Sequence, residues 1–560
     1  MKLVECVPNF SEGRNRATID AIAEAIRSTE GTELLDVDPG VDTNRTVMTF
    51  IGTPDAVCEA AFRAIARAAE LIDMRVHRGA HSRMGATDVC PFVPVREVSM
   101  DECAALARKL GARVADELGI PVYLYEQAAS RPERRNLAVV RKGEYEGLAA
   151  KLADPDWAPD FGKAELNARS GATIIGAREF LIAYNFNLNT RDRRIAQDIA
   201  FEIREAGRAV RDERGEIVRD ESGKAVTRPG LFAFVKAVGW VMDDFDCAQV
   251  SMNLTNFKAA PLAEVFDAVC RLARERGVRC TGSELVGLIP VDCLLEAGRH
   301  YLRQAGKSAG APERELLRLA VQSLGLGELY PFEIDKKVIE RRIPDPRPLV
   351  EMSVADFADE TSTDSPAPGG GSVAALCGAM AASLASMVAW LTAGKPGYEK
   401  AWEPMKALAV EAQGLKAACL RAVDDDTAAF NALMAAMRKP KKTAAQKAER
   451  QAAIQQATRG AIEIPLSVLR AAAEIAPLAE QAAGAGLRSS LSDAAVSADC
   501  ARTAAEGAFY NVLINLPAVD DASYRTDTLA EAERLRAAVG AHAAAACKRV
   551  EEALRADLET

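Results

Sequence analysis

Histidine is scarce in this chain: 560 residues include only His77, His81, His300 and His542. A histidine-built metal centre is therefore not expected. The twelve cysteines supply no substitute, because no CxxC pair and no zinc-type spacing occurs. A Walker loop and a GxGxxG after a strand are also missing, so no nucleotide motif, metal or prosthetic group is assigned. There is no excess of basic charge: the formal net charge is -10 and the isoelectric point is about 5.3. That argues against nucleic acid as a partner, but allows a local basic groove for an acidic small molecule. Aromatics make up 5% of the chain, while alanine is abundant after about residue 370, as in closely packed helices. One uncharged stretch, Ser372 to Gly394, has the length of a membrane span. It is built mainly of alanine, glycine and serine, which contribute little transfer energy, so a buried helix and no membrane partner are expected. Scattered thiols, such as Cys270 and Cys377 within apolar runs, suit a reducing, cytoplasmic compartment. Met1 to Val7 reads as a strand containing Glu5, not as a signal peptide.

The densest chemistry lies in RVHRGAHSRMGATDVCPF, Arg75 to Phe92. It carries two of the four histidines, two glycines, three arginines, Asp88 and Cys90, and it leads into the apolar strand Phe92–Val95. A glycine-interrupted loop before a strand can hold side chains over a cleft, and histidine can both take and give a proton near neutral pH. A solvated, inert loop histidine is the plain alternative.

Patterning divides the chain into an α/β N-terminal half and an all-α C-terminal helical bundle. The α/β half reads as two subdomains with mixed sheets, 1–171 and 172–329, then a proline-rich linker at 330–350 and helices over 351–560. In the first subdomain, strands are expected at Leu3–Val7, Glu33–Val37, Thr46–Ile51, Phe92–Val95 and Val122–Tyr125. Helices are expected at Arg14–Ser28, Pro54–Ile72 and Met100–Leu118, with loops at Pro8–Gly13 and Asp38–Arg45. Asp154 to Gly171 is a long loop, in which Trp157, Phe161, Lys163 and Arg169 offer a clasp for a flat anion; a plain linker is the alternative. The second subdomain repeats the pattern and carries a charged hairpin at Val210–Arg228.

In the helical part, Ser365–Ser372 (SPAPGGGS) precedes the uncharged helix, and a helix N-terminus of this kind can bind an anion. Long helices are expected at Tyr398–Met437, Thr443–Ala483, Ser492–Leu516 and Thr528–Leu558, with breaks at Pro465 and Pro477. Asp424, Asp425 and Asp426 are consecutive, so they point different ways and one can face inward as an acid or base; a solvated face is the alternative. Asn511 and Asn515 share a helical face in an apolar run and need hydrogen-bond partners.

Longer motifs carry a resemblance. VECVPNFSEGRN at Val4–Asn15, LLDVDPGVDTNRTVMTFIG at Leu34–Gly52 and HSRMGATDVCPFVPV at His81–Val95 resemble glutamate formiminotransferase. APGGGSVAA at Ala367–Ala375, VDDDTAAF at Val423–Phe430 and FYNVLINL at Phe509–Leu516 are similar to formiminotetrahydrofolate cyclodeaminase. Together, in this order, they resemble the bifunctional formimidoyltransferase-cyclodeaminase family. The resemblance implies transfer of a formimidoyl group from N-formimidoyl-L-glutamate to the co-substrate tetrahydrofolate, then closure to 5,10-methenyl-tetrahydrofolate with loss of ammonia. It puts the transferase acid/base on His81 and the cyclodeaminase acid/base on Asp426. It puts folate contacts on Gly162, Lys163, Ala164, Glu165, Leu166, Asn167, Ala168, Arg169, Ser170 and Gly171. Chemistry and loop position add Asp38 for a cationic formimidoyl group and Arg45 for a glutamate carboxylate. Two other readings stand beside this one: a methenyltetrahydrofolate cyclohydrolase activity in the helical part, and a non-catalytic folate-binding or assembly protein. A homo-oligomer is expected, with the uncharged helix burying a face against a partner.

Overall fold

The computed structural model describes every residue except 1, 42, 80–81, 222, 243–244, 343–347, 557 and 559–560. Met1–Cys293 with Gly325–Ile343 form one compact unit, and Leu294–Leu324 with Pro344–Thr560 a second.

The first unit is built on two sheets. The larger contains β1 (Leu3–Cys6), β2 (Asn9–Phe10), β3 (Thr32–Gly40), β4 (Arg45–Gly52), β5 (Thr87–Arg96), β6 (Val122–Glu126) and β7 (Thr173–Ala177). β1 and β2 lie between β4 and β5 and are antiparallel to both, β3 pairs β4 at the edge, and β7 runs parallel between β5 and β6. Alternation decides the faces. Val4, Cys6, Met48, Phe50, Cys90 and Phe92 point into a core shared with the amphipathic helices Arg16–Arg27, Pro54–Leu71 and Met100–Leu118. Glu5, Val7, Arg45, Val47, Thr49, Val89 and Pro91 point the other way.

The smaller sheet contains β8 (Ile182–Leu188), β11 (Val235–Met242), β12 (Cys247–Leu254) and β13 (Cys280–Val286), all antiparallel in the order β11-β12-β8-β13. Helices Arg193–Ile203 and Leu262–Glu275 pack against it. The expected hairpin is present as β9 (Arg208–Ala209) and β10 (Thr227–Arg228), and β10 is exposed.

Three sequence expectations are corrected in this unit. Thr173–Ala177 completes the first sheet, although residue 172 was expected to open the second subdomain. TIIGA is buried throughout, and a uniformly apolar strand does not reveal which sheet takes it. Asp38 and Arg45 are not loop residues, because β3 runs on through Pro39 to Gly40, pairing Asp38 with Val47 and Gly40 with Arg45. Pro39 is tolerated because β3 is an edge strand. The expected loop Pro8–Gly13 contributes the short β2.

In the second unit, helices Gly370–Thr392, Trp402–Arg438, Ala444–Ala485, Leu491–Asn515 and Ala522–Ala556 pack around two alanine-rich cores. Thirteen of the 23 residues of Gly370–Thr392 are buried. Among the described residues it is the one helix long and apolar enough to cross a membrane. Leu294–Leu324 groups with this unit rather than with 172–329: Gly310 sits against Ala409 and Val410, its carbonyl accepts from Trp390 Nε1 at 2.5 Å, and Ser308 Oγ donates to the Lys406 carbonyl at 2.8 Å. Ala444–Ala485 is continuous through Pro465 and Pro477, against the expected breaks. Proline at 465 deprives the Ala461 carbonyl of its helical donor, and Asn515 Nδ2 lies 3.5 Å from that oxygen.

Candidate active sites

The residues on the non-helical face of the large sheet meet Ala183, Lys236, Asn253 and Val286 of the small sheet around a cavity of about 430 Å³. The alternation of β1, β3 and β4 puts Glu5, Asp36, Asp38 and Arg45 on its wall, and Arg141, Arg178 and Lys236 add positive charge. Asp38 and Arg45 therefore share one cavity. Arg45 is half-buried, and burial lowers its pKa against the attraction of Asp88. Asp38 is exposed. Asp36 is pushed up, first by burial and then by the neighbouring Asp38. Arg141 is tied to the fully buried Asp88 at 2.6 Å, and the other oxygen of Asp88 accepts from the Met84 amide at 3.0 Å. Glu5 was not among the sequence-selected site residues. Its side chain is 2% exposed, and burial pushes its pKa up to about 8, against the pull of Arg178. The signal was a lone acid inside an otherwise apolar strand, LVEC.

His77 and His81 part company. His77 is 7% exposed; its Nδ1 accepts from Arg83 Nε at 3.3 Å, so Nε2 carries the proton it donates to the Asn44 carbonyl at 2.9 Å. Burial lowers its pKa, and both ring nitrogens are engaged, so His77 is a neutral structural residue. Arg83 is held in turn by Glu146 at 2.7 Å and Glu144 at 3.2 Å. His81 lies outside the described residues.

Gly162–Gly171 does not line the cavity. Gly162–Leu166, Ala168 and Arg169 are exposed, and Asn167 is half-buried. Buried Ser170 and Gly171 join this segment to the histidine loop: the Ala86 amide donates to the Ser170 carbonyl, and Gly171 bridges Gly85. Gly171 has φ +70°, and a Cβ there would strike the Met84 carbonyl, so the close approach requires glycine. The expected clasp does not assemble. Arg169 donates to the carbonyls of Ala69 and Glu70, Phe161 packs beside Gly111, and the Trp157 ring is covered by Lys151 Nζ at 4.2 Å.

In the helical unit the three consecutive acids take three directions. Asp424 accepts from the amides of Leu349 and Val350 at 3.0 and 3.3 Å. Asp425 is exposed. Asp426 points at the first turn of Gly370–Thr392, where Ser372 Oγ donates to its Oδ2 at 3.4 Å, and its pKa is raised by burial against hydrogen bonds from the Ser372 side chain and backbone. Gly371 is close enough that any Cβ would overlap the Asp426 carboxylate. Asn511 stands beside Gly370, with its Nδ2 donating to the Gly507 carbonyl at 2.8 Å, and Asn515 Nδ2 donates to Asn511 O at 2.9 Å. Among the described residues no group of three or more His, Cys, Asp or Glu side chains is arranged to hold a metal ion.

Three family models match in chain order: formiminotransferase domain, N-terminal subdomain, over residues 3–178; formiminotransferase domain over 183–344; and formiminotransferase-cyclodeaminase over 353–534. The chain is 42% identical over 531 residues to the formimidoyltransferase-cyclodeaminase of Rattus norvegicus, covering 94% of this chain and 95% of that protein. It belongs to the formimidoyltransferase-cyclodeaminase family. Shorter relatives match its parts. A glutamate formimidoyltransferase of Streptococcus pyogenes is 42% identical over 302 residues, 54% of this chain and 94% of that protein. A methenyltetrahydrofolate cyclohydrolase of Methylorubrum extorquens is 37% identical over 189 residues, 34% of this chain and 91% of that protein. The family boundary between 178 and 183 falls after β7, where the structure passes from one sheet to the other.

Proposed function

We propose that this protein transfers the formimidoyl group of N-formimidoyl-L-glutamate to N5 of tetrahydrofolate and then closes 5-formimidoyl-tetrahydrofolate to 5,10-methenyl-tetrahydrofolate, releasing ammonia. The observation that carries this is the presence, in one chain related to bifunctional enzymes along 94% of its length, of a charged cavity in one unit and an inward carboxylate in the other.

In the first reaction N5 attacks the formimidoyl carbon, the N5 proton is removed, and the departing glutamate nitrogen is protonated. A single histidine, His81, serves as base and then acid. Arg45, Arg141, Arg178 and Lys236 give the cavity the field that glutamate carboxylates require, with Arg45 suited to a two-pronged contact. The exposed residues of Gly162–Arg169 contact the folate outside the cavity, buried Ser170 and Gly171 hold that segment in place, and Asp38 stands at the rim near the cationic formimidoyl group. In the second reaction N10 attacks the same carbon, and the bond to the terminal nitrogen breaks as ammonia leaves. The attack is intramolecular, so positioning supplies much of the rate. Burial keeps Asp426 protonated to higher pH than an exposed aspartate, which suits an acid for the leaving nitrogen, and the helix N-terminus stabilises the carboxylate left behind.

The similarity to a cyclohydrolase keeps a second reading for the helical unit. Ammonia production from 5-formimidoyl-tetrahydrofolate supports the deaminase; formyl-folate from the methenyl compound, without ammonia, supports the hydrolase. We also propose a cytoplasmic homo-oligomer. Met380, Met387 and Leu391 remain exposed along one face of Gly370–Thr392, an apolar stripe that a second copy would cover, and sedimentation of the purified chain tests this.

A further inference from the structure

The transferred group is an amidine, protonated and positively charged at neutral pH, and it reaches the enzyme on a glutamate with two carboxylates. The cavity between the sheets has both halves of a complement to that molecule. Its cations, Arg45, Arg178 and Lys236, suit the carboxylates. For the cationic end, the wall offers three acids. Asp38 is exposed, so its charge is already solvated and its field screened by water. Asp36 is half-buried and also borders a second, more open cavity, where Lys337 and Arg342 draw on its charge. Glu5 differs from both. It projects from the middle of β1, which is paired on both sides, is nine-tenths or more buried, and borders the cavity. No hydrogen bond or ion pair from another described residue reaches its carboxylate, and Arg178 acts on it only through the field. A buried, unpartnered carboxyl in the centre of a sheet is costly unless something binds it.

We propose that Glu5 receives the protonated formimidoyl group and thereby selects a cationic one-carbon unit over a neutral formyl one. The inference rests on the function proposed above and extends it to donor specificity. The incoming amidinium displaces to solvent the proton that burial keeps on Glu5 and gives the resulting carboxylate two N–H donors, whereas a neutral formyl group brings no charge to hold Glu5 ionised. Discrimination of this kind is strong, because the wrong ligand leaves a buried polar group unpaired.

The test compares binding of N-formimidoyl-glutamate and its neutral isostere N-formyl-glutamate by calorimetry, together with the transfer kinetics of both. It uses the full chain, Glu5→Gln and Asp38→Asn, with circular dichroism to establish folding. Glu5→Gln is expected to weaken the formimidoyl donor roughly ten- to a hundred-fold while leaving the formyl compound within about twofold. Asp38→Asn is expected to move the ratio far less. An unchanged ratio in folded Glu5→Gln, or a larger change in Asp38→Asn, overturns the assignment. If the unaltered protein transfers no formimidoyl group, the proposed function fails; if it does and the ratio survives Glu5→Gln, only the role of Glu5 fails.

Discussion

Gly371→Ala is the sharpest small perturbation of the helical unit. The new methyl would overlap both the oxygens and the carboxyl carbon of Asp426, so the side chain must retreat. The obstacle is the end of an aspartate, which turns on two torsions, so the overlap is relieved at a cost near the lower end of the roughly 1–3 kcal/mol typical of overpacking. Alanine also replaces glycine in the first turn of a helix, which favours the fold by up to about 1 kcal/mol. The two nearly offset, and the melting temperature should move little. Activity should behave differently. A retreat of about 1 Å removes the carboxylate from the Ser372 amide and hydroxyl, and displacements of that size cost on the order of a hundredfold in rate. The assay is appearance of methenyl-tetrahydrofolate absorbance and ammonia from 5-formimidoyl-tetrahydrofolate, with transfer from N-formimidoyl-glutamate measured separately. Full cyclisation in Gly371→Ala would refute the placement of Asp426 in the reaction. An equal loss of both activities would refute the separation of the sites.

The remaining predictions concern single carboxylates and the transferase loop. Glu5 holds its proton to about 8 in the fold, against an ordinary value of 4.5, so between these values the folded state binds the extra proton and stability falls as pH rises. Thermal melts at pH 5 and pH 8 should show Glu5→Gln gaining on the unaltered protein at the higher pH, by an amount on the order of a few kcal/mol. Asp88→Ala strands Arg141 without its buried partner and should destabilise the first unit by about 3–5 kcal/mol, read by denaturant melts. His77→Phe should lower stability through loss of the Asn44 and Arg83 contacts while any folded fraction keeps transfer activity; loss of transfer in fully folded protein would move the acid/base role to His77.

Much of this was legible in the residues, for physical reasons that can be named. The helix Met100–Leu118 is bounded by a Ser99 capping box and by Gly119 in a left-handed conformation, both local signals, so its expected ends match the structure. That Asp424, Asp425 and Asp426 take different directions follows from the 100° step of a helix; which of them is buried could not be read from three identical side chains. Where sequence patterns gave out, tertiary context had decided. β7 is apolar on both faces and so carries no address. Pro465 is accommodated mid-helix next to an asparagine from another helix, which no window around residue 465 contains. Glu5 stood in plain view within its strand, but a lone acid there can face water or a closed cavity, and only the second sheet decides between them.

The most direct test of the account is a single-turnover experiment with tetrahydrofolate and N-formimidoyl-glutamate, following methenyl absorbance and ammonia together, in the unaltered chain and in His81→Ala and Asp426→Ala. The account predicts both products from the unaltered chain, no transfer but intact cyclisation of supplied 5-formimidoyl-tetrahydrofolate in His81→Ala, and transfer without ammonia in Asp426→Ala. Loss of both activities in both folded variants, or neither product from well-folded unaltered protein, would contradict it.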